Sequence, residues 1–391
     1  MEWFAILIPL IVVPLVKHYF PHKITWWECL IPVVPAVVLI PTISSCSVML
    51  MSQDTERRGG WLTEARYYEE WDEWVTKTCS RQVRTGTDSK GNATYRTDYY
   101  DCSYRDYHPA YWEAHGSNGE TISIDQSQYN FFVTKFGNKQ FVDMYRHYHR
   151  IDGDMYKTVF PNNDELLVGL FTDHSYTNKV QASNGVFEFP EVDPETVKKL
   201  HQYPKLVNNF NDSAILGGSF AEADKKLQFL NAKFGRQLQI RYWILVFNNQ
   251  PRSIGYDQES FWKGGNKNEF VVCLNLDGGK PTWGHVFCWS PDGHTGNDVA
   301  KIKVRDYIES QKDLNMVSLV DFMHQTTKEH WKRKSFSEFD YLKIDTPNWA
   351  IITIYCITLL TTAGTSFFIV LNQQDHDNIT IRWNRYSRGR I

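Results

Sequence analysis

The sequence predicts an α+β protein that is anchored in a membrane, with a large polar region between two apolar ends. Three observations predict this class: uncharged apolar runs near both termini, short alternating segments separated by turn residues from about residue 59, and interleaved helix and strand patterns after about residue 205. Charged residues are 22% of the 391 residues, and the net charge is −3. These values exclude a collagen-like or disordered chain. They also lack the basic excess of a nucleic-acid-binding protein, so no nucleic-acid partner is expected.

Residues 1–53 predict an N-terminal hydrophobic hairpin. Residues 29–53 carry no charge, and two tryptophans precede this run, as they do at membrane interfaces. The earlier run, residues 3–16, would span about 21 Å as a helix, which is short for a bilayer of about 30 Å. A signal-anchor, a half-span paired with the next helix and a full span therefore remain open. We expect helices over residues 4–20 and 26–51, of which one or two are transmembrane.

Residues 347–371 predict a C-terminal transmembrane helix, and residues 372–391 form a basic tail. The stretch 349–371 is uncharged and begins with Trp349. As a helix it would span about 35 Å, enough to cross a bilayer with some tilt. Because helices that are apolar on all sides are rare in soluble domains, a buried core helix is the weaker reading.

Basic residues near the apolar segments predict the orientation. Lys17 and Lys23 in the hairpin loop share a membrane face with four arginines of the tail: Arg382, Arg385, Arg388 and Arg390. Lys and Arg collect on the cytoplasmic face, so the large domain is expected outside the cytoplasm, in the periplasm if the host is bacterial. Basic residues that flank the domain itself weaken this preference: Arg57, Arg58, Lys332, Arg333 and Lys334.

Cysteines in the polar region add to this prediction. With a hairpin turn centred on Lys90 and Gly91, Cys79 and Cys102 lie directly opposite each other, and opposed Cβ atoms about 4.5–5.5 Å apart are near disulfide range. A second disulfide, between Cys273 and Cys288, is predicted around the turn at residues 277–281. The alternative is buried thiols. A disulfide implies an oxidising compartment, which agrees with an extracytoplasmic domain.

The polar region divides into a β-rich extramembrane part, residues 59–200, and an α/β part, residues 205–335. In the second part, Ser219 and Glu222 form a capping-box pattern before a helix that ends at Gly235. A strand over 238–247, a short helix and a hairpin over 270–276 and 283–289 follow, and then two helices over 298–310 and 316–333. This order predicts a small α/β sandwich whose sheet is covered by helices.

A part of the chain of roughly 110 residues, with its matching segments in residues 211–277, resembles the TPM domain. The positions that match its short motifs are Asp212, Gly235, Gln237, Trp262, Gly265 and Asn268. The chain is also similar to uncharacterised membrane proteins of large tailed phages, through residues 172–176 and 264–269. The resemblance implies a TPM-like sandwich with either phosphatase-like activity or a role in membrane-protein assembly or repair. The family commonly has a Gly-Leu-Glu turn after the hairpin, but residues 288–293 lack that acidic position.

The resemblance places Asp212 and Glu269 at one end of the sheet, where their oxygens suit a divalent cation such as Ca²⁺ or Mg²⁺. The alternative is that Asp212 caps a helix and Glu269 is exposed. A second candidate metal site comes from the spacing of His147 and His149, which would share one face of a strand before a turn. That turn holds Asp152 and Asp154; the alternative there is an ordinary surface strand.

No Walker A, HExxH, GxSxG or dinucleotide-binding glycine pattern is present, so no catalytic residue is assigned. The leading hypothesis is a membrane protein whose extracytoplasmic TPM-like domain has a binding or assembly role, with the lipid bilayer and a membrane or envelope protein as partners. One alternative is a metal-dependent phosphatase of the same fold. The other is a minor component of an envelope or transport complex.

Overall fold

The structure is a computed structural model. It describes residues 2–137, 139–142, 155–160, 164, 167–182, 189–289, 296–333, 335, 339 and 341–372. The chain divides into two compact units. Unit 1 comprises Met1–Thr55, Ser175–Pro190 and Lys334–Ile391, and unit 2 comprises Glu56–His174 and Glu191–Arg333.

The described residues confirm a mixed α+β fold. The helices are α1 (Leu7–Tyr19), α2 (Val33–Ser52), α3 (Gln126–Phe136), α4 (Lys179–Ala182), α5 (Pro194–Val197), α6 (Ala221–Phe234), α7 (Ser253–Phe261), α8 (Gly296–Ser310), α9 (Met316–His330) and α10 (Asn348–Asn372). The strands are β1 (Gln53–Tyr68), β2 (Trp71–Val75), β3 (Thr78–Thr87), β4 (Ala93–Asp101), β5 (Tyr104–His108), β6 (Tyr111–Gly116), β7 (Thr121–Ile124), β8 (Lys139–Val142), β9 (Met155–Val159), β10 (Gly169–Thr177), β11 (Ile215–Leu216), β12 (Arg241–Asn248), β13 (Glu269–Asp277) and β14 (Lys280–Phe287).

Among its described residues, unit 1 contains three helical segments that are long and apolar enough to cross a membrane: Glu2–Tyr19, Glu28–Ser52 and Asn348–Leu371. They include α1, α2 and α10, and the predicted helices at these positions are confirmed. The segments pack around a small core of Ala5, Ala36, Ile40 and Ile354. The two alanines of this core let the helix backbones approach closely.

The first part of unit 2 is built around β1. Strands β7, β6, β1, β9 and β8 form a sheet in that order, and β10 also pairs with β1. Helix α3 begins with a capping box between Asp125 and Gln128 and ends at Gly137, whose φ of 68° suits glycine. Tyr129 and Phe132 of α3 are buried against this sheet in a common cluster with Leu62.

The disulfide between Cys79 and Cys102 is present in the β3–β4 hairpin, but the predicted direct opposition of the two cysteines is wrong. Cys79 pairs with Tyr100, and Cys102 lies two residues further along, with a Cα–Cα distance of 5.8 Å between the cysteines. The turn is longer than predicted because the carboxylate of Asp88 accepts hydrogen bonds from the backbone of Lys90 and Asn92. A bulge between Arg84 and Gly86 shifts the register once more.

The second part of unit 2 follows the predicted order of helices and strands. Strands β11, β12 and β13 are parallel, and β14 pairs with β13 in an antiparallel hairpin. Strand β12 is buried along almost its whole length, as expected for a strand covered on both faces. Its side chains share one hydrophobic core with residues of α6, α8 and α9, such as Leu227, Val304 and Leu319.

Two local predictions in this part are wrong. Cys273 and Cys288 are not joined by a disulfide: Cys273 pairs with His285, and Cys288 lies three residues beyond that partner. Because side chains alternate along a strand, an odd offset points the two thiols to opposite faces. The predicted capping box of α6 also fails, since residue 220 occupies the N-cap without a side-chain hydrogen bond.

Candidate functional site

A buried group of ion pairs lies at the amino ends of the parallel strands in unit 2. Asp212 is 6% exposed and accepts hydrogen bonds from Arg57 at 3.0 Å and from Arg241 at 2.6 Å, one on each carboxylate oxygen. Arg57 also bonds Asp173, with 2.9 Å between Nε and Oδ1, and donates to the carbonyl of Pro204. The two guanidinium groups therefore occupy both oxygens of Asp212.

Strand register explains why these residues meet. Arg241 is the first residue of β12 and pairs with Glu269, the first residue of β13. Asp212 precedes the short strand β11, which is parallel to β12. Two neighbouring parallel strands thus begin with charged side chains, and Asp212 lies three residues before the third, at the same edge of the sheet. The predicted placement of Asp212 and Glu269 at one end of the sheet agrees with this geometry.

Glu269 is fully buried and is not the exposed residue that the alternative reading expected. It accepts hydrogen bonds from the Tyr203 hydroxyl at 2.5 Å, the Trp243 indole at 2.9 Å and the Asn266 backbone N–H at 2.7 Å. Burial, together with the negative charge of Glu269, raises the pKa of Tyr203 well above its ordinary value. Tyr203 therefore stays protonated and acts as a hydrogen-bond donor to Glu269.

The arginines of this group differ in their surroundings. Burial lowers the pKa of Arg241, although Asp212 opposes the shift. Burial also tends to lower the pKa of Arg57, but the negative charges of Asp173 and Asp212 outweigh this effect, and the pKa is raised. The Arg241 guanidinium lies 4.4 Å from the centre of the Trp243 ring, and its Nε and Nη1 have no hydrogen-bond partner within the described ranges. Part of its charge is therefore balanced by an aromatic face.

The chemistry of this group is that of a structural ion network. A divalent cation at Asp212 would need the oxygens that already accept from Arg57 and Arg241. Glu269 likewise has donors on both oxygens. Breaking such a buried pair leaves an uncompensated charge, which costs about 3–5 kcal/mol.

A polar pocket of about 220 Å³ opens beside this network. Side chains of β1 point alternately to opposite faces of the strand, which separates the pocket from the ion network. Arg57 bonds Asp212 on one face, while its neighbours Glu56 and Arg58 line the pocket on the other. Glu56 is 1% exposed and accepts from Arg58 at 2.8 Å and from Arg333 at 2.9 Å. The ammonium group of Lys267 lies 3.6 Å from the same carboxylate.

The opposite wall of the pocket is a single π-helical turn, Gly235–Gln239, that follows α6. Such turns are rare and occur frequently at functional sites. Gln239 has a φ of 50°, unusual for a residue with a side chain, and accepts a hydrogen bond from Arg333. Arg236 reaches across to the carbonyl of Ser117.

Glycine permits the close approach of β1 to this turn. A Cβ atom on Gly59 would lie 2.1 Å from the Asn231 carbonyl oxygen, and one on Gly235 would lie 3.0 Å from the Gly59 oxygen. Any side chain at Gly59 would therefore push the two pocket walls apart.

The pocket holds an excess of positive charge. Arg58, Arg236 and Arg333 line it, and Glu56 is the acidic residue among its lining side chains. Burial lowers the pKa of Lys267 to about 8, and repulsion from Arg333 and Arg58 adds to the effect against the attraction of Glu56. Burial is the main cause of this lowered pKa, so the positive excess of the pocket follows from its three arginines and one carboxylate.

Asn268 connects the network and the pocket. It is 5% exposed, and its amide nitrogen donates to the Arg57 carbonyl at 2.9 Å. Its side-chain oxygen is buried and has no hydrogen-bond partner in the part of the chain that the structure describes. A buried acceptor without a donor costs about 1–3 kcal/mol, so this atom is a candidate ligand contact.

The predicted metal residues His147, His149, Asp152 and Asp154 lie outside the described residues. Within the described ranges, one group has metal-ligand geometry: Glu73, Asp106 and His108, whose ligand atoms lie within 4.8 Å of one another. Glu73 pairs with Asp106 across β2 and β5, and His108 lies two residues further along β5. The alternation of Asp106 and His108 was the available sequence signal for this group.

The resemblance positions fall into two groups. Asp212, Gly265 and Asn268 surround the buried network, and Gly235 faces Gly59 beside the pocket. Trp262 donates to the carbonyl of residue 201, and its ring packs against Tyr203 and Trp243 of the buried network. Gln237 is an exposed residue of the π-helical turn.

Comparison of the chain with models of known protein families, with curated proteins and with solved structures gives no match.

Proposed function

We propose that the protein is an integral membrane protein whose unit 2 lies outside the cytoplasm and acts as a binding or assembly module of the TPM type. The observation that carries the membrane assignment is the inverted polarity of the helices in unit 1. Large apolar side chains are exposed, among them Leu360 at 70% and Phe367 at 66%, while Thr358, Thr362 and Ser366 are buried. A bilayer is the solvent that suits this arrangement.

The disulfide supports the extracytoplasmic position of unit 2. Cys79 and Cys102 join two strands that are exposed along most of their length, so the bridge would meet the redox conditions of its compartment directly. Structural disulfides persist in oxidising compartments and are rare in the cytosol. Charge supports the same orientation, because Arg57 is buried in unit 2 and no longer counts as a basic residue at the membrane surface.

The buried network favours binding over phosphatase chemistry. The phosphatase alternative needs Asp212 to hold a metal ion, and two arginines occupy its oxygens instead. The remaining alternative, a component of a transport complex, has less support. Charged residues inside a membrane helix mark transport pathways, but the acidic residues of the three apolar segments, Glu2 and Glu28, are each the first residue of their segment.

A topology measurement tests the proposal. A reporter that is active only outside the cytoplasm is inserted between Lys90 and Gly91, at the exposed tip of the β3–β4 hairpin, where nothing lies within 4 Å of a Cβ on Gly91. Activity is expected there, and a reporter at the end of the C-terminal tail should be inactive. Activity of a cytoplasm-only reporter at Lys90 would overturn the orientation.

Cysteine labelling checks the same proposal without an insertion. Intact protein is alkylated under denaturing conditions with and without reductant, and its mass is measured. We expect Cys79 and Cys102 to be alkylated only after reduction, whereas Cys273 and Cys288 are alkylated in both samples. Alkylation of Cys79 without reductant would contradict the bridge and the oxidising compartment together.

A further inference from the structure

We propose that the pocket of unit 2 binds a phosphate ester whose alcohol or amine part carries a hydrogen-bond donor. The site is the space between β1, the turn Gly235–Gln239 and the residues before β13. The inference deepens the proposed binding role and rests on it, but it does not depend on which side of the membrane unit 2 occupies.

Three guanidinium groups give the pocket its preference for an anion. Arg58 directs two nitrogens to Glu56, Arg333 bonds Glu56 and Gln239, and Arg236 bonds one backbone carbonyl. Each guanidinium has five N–H donors in a planar fork, so each retains donors for a ligand. Forks of this kind match the oxygens of phosphate, and several together favour it over a singly charged carboxylate.

The geometry holds these cations in place before a ligand arrives. The Glu56 carboxylate is buried and fixes Arg58 and Arg333 on its two oxygens, while Lys267 lies beside it. One carboxylate thus organises three cations and leaves an excess of positive charge. Preorganised donors of this kind bind an anion without the entropy cost of ordering long side chains on binding.

Asn268 adds a requirement for a hydrogen-bond donor on the ligand. Asn268 lines the pocket, its buried side-chain oxygen has no donor within the described residues, and its amide nitrogen is committed to the Arg57 carbonyl. An oxygen acceptor repels a phosphate oxygen and accepts from a hydroxyl or ammonium group. The ligand that satisfies both features carries a phosphate at the arginines and a donor at Asn268.

Size limits the ligand. A pocket of about 220 Å³ is below the roughly 300–1,000 Å³ of sites for larger organic ligands. It suits a phosphate with a short polyol or amino alcohol. This chemistry occurs both in soluble phosphomonoesters and in phospholipid headgroups. Arg58 follows Ser52, the last residue of the apolar helix α2, by only six residues, so both sources need testing.

The experiment uses the full chain. Protein in a zwitterionic detergent is titrated calorimetrically with sn-glycerol 3-phosphate and, separately, with inorganic phosphate. In a second arm, thermal unfolding is measured in nanodiscs of phosphatidylcholine alone and of phosphatidylcholine with phosphatidylglycerol. The variants are Arg236→Gln, which loses one contact to a backbone carbonyl, and the control Arg305→Gln, an exposed arginine on α8 paired with Asp306.

We expect sn-glycerol 3-phosphate to bind more tightly than inorganic phosphate, and Arg236→Gln to weaken it about tenfold or more, since a hydrogen bond to a charged group is lost. Arg305→Gln should bind as the native protein does. If only the phosphatidylglycerol nanodiscs stabilise the protein, and Arg236→Gln removes that effect, the ligand is a headgroup. Equal binding of both phosphates would refute the role of Asn268.

The proposal is overturned if neither the soluble ester nor phosphatidylglycerol has an effect, or if Arg236→Gln and Arg305→Gln behave alike. A melting curve of each variant shows that it is folded, and Arg333→Gln gives a second pocket variant if Arg236→Gln is unstable. A failed topology measurement would leave the titration with the soluble ester unchanged, so the two proposals fail separately.

Discussion

The two units of the molecule bury opposite kinds of side chain. Unit 2 has an apolar core of the usual type, yet it also buries full charges: Glu56, Arg57, Arg241 and Glu269 are at most 1% exposed. The long helices of unit 1 expose large apolar side chains and, among their described residues, bury hydroxyl groups such as those of Thr358 and Thr362.

This difference shows how each unit satisfies its buried polar groups. In unit 2 every buried carboxylate of the network has two or more donors, because an unpaired charge would cost several kcal/mol. In unit 1 the hydroxyl oxygens of Thr358 and Thr362 have no hydrogen-bond partner in the described part of the chain. A neutral hydroxyl is tolerated in this way at far lower cost than a charge.

The strongest test of the comparison is Asp212→Asn. The variant keeps the size of the side chain but removes the negative charge shared by Arg57 and Arg241. We expect the free energy of unfolding to fall by about 3–5 kcal/mol, measured by denaturant titration of the full chain with tryptophan fluorescence. Asp306→Asn, at an exposed pair, should change it by less than about 0.5 kcal/mol. Equal effects would mean that the network contributes no more than a surface pair.

A smaller effect is expected from pH. The pKa of Lys267 is about 8 in the folded protein and near 10.5 when the chain is unfolded. Above pH 8 the unfolded chain binds more protons at this residue, so stability should rise between pH 8 and about 9.5, by on the order of 1 kcal/mol. Lys267→Met should remove that rise. A native protein whose melting temperature falls over this interval as steeply as that of the variant would contradict the assignment.

The smallest effect is expected in unit 1. Thr358→Val and Thr362→Val each replace a buried hydroxyl that lacks a partner among the described residues by a methyl group of the same shape. Because no hydrogen bond is lost, stability in detergent should stay within about 0.5 kcal/mol of the native value or increase. A loss above about 1 kcal/mol for either variant would show that these hydroxyls bond a group in the helix bundle, and the contrast between the units would disappear.

Local patterns predicted most of the second half of unit 2. The strands β12, β13 and β14 and the helices α6, α8 and α9 lie within a few residues of their predicted positions, because apolar periodicity and turn glycines are local signals. The predicted capping of α6 failed because the helix begins one residue later than expected, with Phe220 at the N-cap. Asp224, in the first turn, accepts from the backbone of Ala214 and Ile215, a contact that local patterns did not predict.

The Cys79–Cys102 disulfide shows how far strand pairing can be predicted from the sequence of a hairpin. The predicted pairing was wrong by two residues, one from the longer turn held by Asp88 and one from the bulge before Gly86. Side chains on a strand alternate with a period of two, so this shift left both cysteines on the same face. The predicted disulfide is therefore present although the predicted register was wrong. For Cys273 and Cys288 the register differs from the predicted one by three residues, an odd number, and no disulfide forms.

The site itself was only partly visible in the sequence. Asp212 and Glu269 were named, but Arg57 was interpreted as a residue flanking the membrane, because its partner lies 155 residues away. Arg241 did leave a signal, as a charged residue within the apolar run of β12. The pocket could not be predicted, since it depends on β1 meeting a π-helical turn through Gly59 and Gly235.

These long separations also govern the order in which the protein can be completed during synthesis. The ion pair of Arg57 cannot form until Asp212 has been synthesised, and that of Glu56 cannot form until Arg333, 277 residues later, has been synthesised. At about 5–20 residues per second, the ribosome needs roughly 15–55 seconds to supply that partner. Until Arg333 is available, Glu56 at the start of β1 lacks this ion-pair partner. A chain released before Arg333 would therefore expose the unfinished edge of unit 2 to proteases and to other nascent chains.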